Sequence, residues 1–76
     1  MMRPYRDVNG DSGVEAYDYD EDSIRVRFKT GATYEYTYAS AGRAHIEAMK
    51  RLADAGNGLN AFINQFVRLR YARKIG

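Results

Sequence analysis

Cysteine is absent from this chain of 76 residues, which excludes a disulfide staple, a thiolate nucleophile and a thiolate metal site. The absence fits a reducing compartment, and we expect a cytoplasmic protein. His45 is the single histidine, so no zinc site is expected, and a lone helical histidine reads as surface or core edge. No apolar run approaches the ~20 residues of a membrane-spanning helix, and no apolar segment follows Arg3 and Arg6 as in a secretory signal. Ser12, Ser23 and Ser40 all lack a nucleophile-elbow context. Gly56 and Gly58 lack the lysine of a phosphate-cradling loop. The acids Asp18, Asp20, Glu21 and Asp22 lack the glycine and distal glutamate of a calcium loop. There is no internal repeat. Together these absences argue against an enzyme, a cofactor and a membrane partner. A chain this short buries only ~60% of its unfolded surface, so one small core must hold it or a partner must help.

What is present is alternation. Ile24, Val26 and Phe28 fall on one strand face, with Arg25, Arg27 and Lys29 on the other. Tyr34, Tyr36 and Tyr38 repeat the pattern against Thr33, Glu35 and Thr37. Pairing Phe28 with Ala32 leaves a loop at 29–31, with Gly31 where a three-residue hairpin needs a left-handed backbone. That register sets Val26 opposite Tyr34, Ile24 opposite Tyr36, and Arg25 opposite Glu35 as a cross-strand charge pair. Upstream, Tyr17 and Tyr19 alternate while Val14 is out of phase, which predicts a bulge near Glu15 and Ala16. Residues 20–23 read as a turn.

After Tyr38 the period becomes helical. Ser40 is a candidate N-cap without a capping box. Ile46, Met49, Leu52 and Ala53 mark one helix, and Gly56 to Gly58 stops it and lets Asn57 cap another. Leu59, Phe62, Ile63 and Phe66 follow the spacing of a core-facing stripe. The expected fold is α+β: a three-stranded antiparallel meander followed by two helices packed on one sheet face. Residues 1–11, with Pro4, Asn9 and Gly10, are expected to form a flexible arm, and 12–76 a single domain.

This order of signals resembles the KTSC domain, a small module named for its place at the C-terminus of some lysyl-tRNA synthetases and also found alone in bacterial and phage-type proteins. The residues that carry the resemblance are Ser12, Tyr19 and Asp20, the run Ile24 to Phe28, Gly31, Tyr34 and Tyr36, then Gly56, Asn60 and Ile63. They extend over roughly Ser12 to Arg70. Asp18 stands where a glycine is usual, and Gly58 and Leu59 where an aromatic pair is usual. The resemblance implies a module with no established activity, for which RNA binding has been proposed, and it implies a structural role for Gly31, Tyr34, Tyr36 and Asn60.

The charge is uneven. Residues 1–38 carry net −3 and 39–76 net +5, which suits a polyanionic partner for the second half. No acid follows Asp54, so Arg68, Arg70, Arg73 and Lys74, with Tyr71 among them, form an uncompensated basic run of the kind that binds nucleic acid. Cations also favour a helix C-terminus for its dipole, and both readings stay open. Arg25 and Arg27 could add phosphate contacts, although a basic row on a sheet face is usually solvated surface. The tyrosine row could stack bases, but its apolar partners favour the core. Arg43, Glu47, Lys50, Arg51 and Asp54 pair at i, i+4 and read as a self-neutralising surface. The function expected is a non-catalytic RNA-binding accessory module. The alternative is an adaptor or inhibitor of mobile-element type that binds a host protein through a strand edge or the Gly56 junction. Either could act as a monomer or as a homodimer using Val67 and Leu69.

Overall fold

Alternation along 14–37 builds the middle of an antiparallel sheet in the computed structural model, which describes residues 2–8, 10 and 12–76. Strands are numbered in chain order: β1 Arg3–Pro4, β2 Val14–Asp20, β3 Ser23–Phe28, β4 Thr33–Thr37 and β5 Arg73–Lys74. They lie side by side in that order, each antiparallel to its neighbour. The sheet therefore has five strands where three were expected. The two additions are two-residue edge strands, too short to leave a period in the sequence.

The central register is the expected one. Val26 faces Tyr34, Ile24 faces Tyr36 and Arg25 faces Glu35. Phe28 N–H donates to the Ala32 carbonyl at 2.8 Å, and Gly31 takes φ 98° in the loop. The β2–β3 register shifts between Val14 and Ala16. This bulge returns Val14, 1% exposed, to the core face.

Three helical segments follow: α1 Tyr38–Ala41, α2 Arg43–Ala55 and α3 Leu59–Phe62. Thr37, not Ser40, is the N-cap of α1. Its hydroxyl accepts from Ser40 N–H at 3.1 Å while Ser40 Oγ accepts from Thr37 N–H at 3.0 Å, so a serine completes the capping box that a glutamate or glutamine usually completes. Gly56 ends α2 in the left-handed conformation, donating to the Leu52 and Ala53 carbonyls. Gly58, not Asn57, is the N-cap of α3, and Leu59 N–H there donates to the Tyr5 hydroxyl.

The chain widens into a π-helical turn at Ile63–Val67, directly after α3. Leu59, Ile63 and Val67 are consequently the buried residues, at steps of four. Phe66, expected in the core, is 46% exposed, whereas Val67 is fully buried and offers no surface to a dimer. Together with Ile46, Met49 and Ala53 from α2, these residues close over Val14, Tyr17, Ile24, Val26 and Tyr36 of the sheet.

Residues of the expected arm are docked. Arg3 and Pro4 pair with Tyr17 and Ala16, Tyr5 is buried, and Val8 N–H donates to the Gly56 carbonyl. Asn9 and Asp11 lie outside the described residues. Among the described residues, no helix is long and apolar enough to cross a membrane.

Candidate nucleic-acid interface

The two basic groups read from the sequence are only partly separated: Arg73 shares the uncovered sheet face with Arg25, whereas Arg68 lines a cleft on the other side. Arg25 sits on the uncovered face and is fully engaged: its guanidinium donates to Asp18, to Asp20 at 3.1 Å and to Glu35 at 3.1 Å. Burial works against its charge, but the bonds from Asp18 and Glu35 hold its pKa above the ordinary arginine value. Arg27 shares that face and is exposed. Arg73 joins it from the edge strand, donating to Glu35 at 2.9 Å. Asp18, Asp20 and Glu35 thus engage Arg25 and Arg73, which are not free for phosphate, whereas Arg27 makes no ion pair among the described residues.

Of the C-terminal run, Arg68, Arg70 and Lys74 remain. All three are exposed and make no ion pair among the described residues. Lys74 pairs with Tyr34 across the β4–β5 edge, so its side chain shares the helix-covered face with Tyr34. There the end of the π-turn and the β3–β4 hairpin enclose a cleft of about 250 Å³, walled by Phe28, Tyr34, Tyr71, Leu69, Asn64 and Arg68, with Tyr36 at its floor. Tyr71 packs on Tyr34 with ring centroids 4.8 Å apart, and Phe28 meets Tyr34 edge-on at 6.0 Å. Burial pushes the Tyr36 phenol up to about 12. The tyrosine row thus divides: Tyr36 is core, Tyr34 is half-buried in the cleft wall, and Tyr38 begins α1.

A second cavity, of about 370 Å³, opens on the other side of Asn64. Tyr5, Asp7 and Ser12 from the N-terminal segment face Gly58, Asn60 and Asn64 across it. Asn60 lies beside Gly13, its Oδ1 3.6 Å from where a Gly13 side chain would begin.

The α2 surface is not the self-neutralising row expected. Glu47 pairs with Lys50 at 2.9 Å, three residues on, and accepts from the Tyr38 hydroxyl at 2.6 Å. Asp54 accepts from the Tyr17 and Tyr19 hydroxyls at 2.8 and 2.7 Å. Arg3 lies over both tyrosine rings at 5.3 and 5.0 Å. This cluster holds β1 and β2 to the helix, and sequence spacing could not find it because Asp54 lies more than thirty residues from both tyrosines. His45 stacks on Phe66 and meets Phe62 edge-on, both at 5.8 Å, with Nδ1 held 2.8 Å from the Ala41 carbonyl oxygen. The β2 edge, a candidate for strand addition, is partly taken by β1, and the Gly56 junction is covered by Arg6.

No protein-family model matches the chain, and comparison with curated proteins and with solved structures gives no match. The sequence signals that led to the cleft were the basic run and Tyr71. Tyr34 was assigned to the core, and the second cavity was missed, although Asn57, Asn60 and Asn64 at steps of three and four are a readable amide stripe.

Proposed function

We propose that this protein is a non-catalytic module that binds single-stranded RNA in the cytoplasm. The observation that carries the reading is the aromatic cleft of Tyr34 and Tyr71 flanked by Arg68 and Lys74, cations with no acid partner among the described residues. Unpaired bases stack on such rings, each adding about 1–3 kcal/mol, while neighbouring cations meet the phosphates. Single-stranded RNA is the usual source of splayed bases. The reading agrees with the RNA binding proposed for the KTSC family that the chain resembles. Arg70 belongs to the same exposed segment, whereas Arg25, Arg27 and Arg73 lie outside the site.

Fluorescence anisotropy with labelled single-stranded RNA and duplex DNA tests it. Affinity for the single strand should fall with salt, and Arg68→Glu with Lys74→Glu should lower the logarithmic salt slope by about 0.7 per lost phosphate contact. Tyr71→Ala should weaken binding about tenfold, and Arg27→Glu should change little. Absence of binding at low salt, or binding indifferent to Arg68 and Lys74, would overturn the proposal.

A second reading, a protein-binding adaptor, draws on the ring cluster of His45, Phe62 and Phe66, of which Phe66 is 46% exposed. Its mark is a salt-insensitive complex with one defined protein that Phe66→Ala abolishes.

A further inference from the structure

Everything after Val67 is held lightly. Residues 68–76 are all exposed and place no side chain in the core. Yet this segment supplies Arg68, Leu69 and Tyr71 to the aromatic cleft, and Lys74 beside it. Besides the two-residue ladder of β5, Ala72 N–H donates to the Glu35 carbonyl at 2.6 Å and Ile75 N–H to the Thr33 carbonyl at 2.7 Å. Thr33 N–H donates to the Gly76 carbonyl at 3.0 Å, and the Tyr71 ring rests on Tyr34. To these the side chain of Arg73 adds its bond to Glu35 at 2.9 Å.

Successive strand residues point to opposite faces. Lys74 pairs with Tyr34 on the cleft side, and Arg73 pairs with Glu35 on the uncovered side. Arg73 therefore faces away from a ligand in the cleft, but it sets where Tyr71 and Lys74 come to rest. The Glu35 carboxylate is prepared for it. Arg25 donates to Oε2 at 3.1 Å, which leaves Oε1 for Arg73. The Glu35 side chain is 13% exposed and that of Arg73 69% exposed, so the fixed half of the pair belongs to the sheet.

We propose that Arg73 is a positioning residue: its bond to Glu35 latches segment 68–76 against β4 and so assembles the RNA site on the opposite face. The ligand rests on the RNA-binding reading above, whereas the latch is a property of the free protein. A segment with few buried apolar contacts opens at low cost. RNA that meets Arg68, Tyr71 and Lys74 together binds the docked form, so its apparent affinity falls with the docked fraction.

The test joins amide hydrogen exchange of the free protein to anisotropy with labelled single-stranded RNA. Arg73→Met keeps the aliphatic stem and removes the charge and the donors. The Ala72 and Ile75 amides should exchange about threefold faster in it, the scale of an exposed ion pair, while those of β3 stay unchanged. Its RNA affinity should fall about threefold at every salt concentration, with the native logarithmic salt slope. Loss of a phosphate contact would instead lower that slope by about 0.7. Arg73→Lys should restore most of both effects. Ile75→Pro, which removes the N–H that Thr33 accepts and leaves every charge in place, should weaken binding about tenfold. Unchanged exchange at Ala72 and Ile75 in Arg73→Met would overturn the latch, whatever the RNA does. Faster exchange with native RNA affinity in both variants, or a lowered slope, would overturn the positioning role and leave the RNA-binding reading standing. Failure of the native protein to bind RNA would overturn that reading and the positioning role together, and exchange alone would then decide the latch.

Discussion

Asp54 joins helix and sheet through one carboxylate. The Tyr19 hydroxyl bond holds its pKa below the ordinary carboxylate value of 3.8; burial opposes this and Tyr17 adds to it. A depressed carboxylate stabilises the fold above its unfolded pKa, and that stability is lost as pH falls through the folded value. Tyr17 has the opposite sense. Burial first, then the Asp54 bond, raises its phenol from 10.0 to about 12. Its contribution is complete below the unfolded value and is lost as pH rises between the two. Asp54→Ala should destabilise the protein by about 1–2 kcal/mol, a modest figure because the site is half open to water. In acid titration the variant should lose less stability than the native protein, as followed by circular dichroism. In alkaline titration Tyr17 and Tyr36 should ionise near pH 12, and Asp54→Ala should bring Tyr17 earlier. None of this was legible beforehand, because i, i+4 spacing pairs Asp54 with Lys50, whereas the sheet brings two phenols closer.

At the scale of elements, the three central strands were readable and the last helix was not. Alternation from Ile24 to Tyr36 admits one register, since a slip of one residue would put Arg25 and Arg27 in the core. The out-of-phase Val14 even marked the bulge. The C-terminal helix defeated the same approach because periodicity assumes 3.6 residues per turn. With i→i+5 bonding across Ile63–Val67, steps of four stay on one face and Phe66 is turned outward. Val67→Ala should cost about 2 kcal/mol from lost burial and the cavity left behind. Phe66→Ala should cost less than about 1 kcal/mol despite removing the larger side chain. Urea unfolding of the two variants distinguishes this packing from a regular α-helix, in which the order would reverse.

Across the whole molecule, both ends of the described chain return to the sheet. Arg3–Pro4 adds one edge and Arg73–Lys74 the other. Tyr5 anchors the first of these: its ring is 6% exposed and its hydroxyl accepts from Leu59 N–H at the start of α3. Tyr5→Ala should cost about 3 kcal/mol or more, and hydrogen exchange should rise at β1 and at the start of α3 together. Tyr5→Phe should retain most of the stability and lose only the cap. The sequence alone determined the α+β class, the β2–β3–β4 meander, the Gly31 hairpin and the stop at Gly56, because each depends on local period or backbone freedom. Only the tertiary structure decided the edge strands, the engagement of Arg25 and Arg73, and the cleft that sets Tyr34 and Tyr71 beside Arg68. Those depend on contacts between residues far apart in the chain, where a two-residue strand leaves no pattern and a charge is free or neutralised according to which acid folding brings beside it.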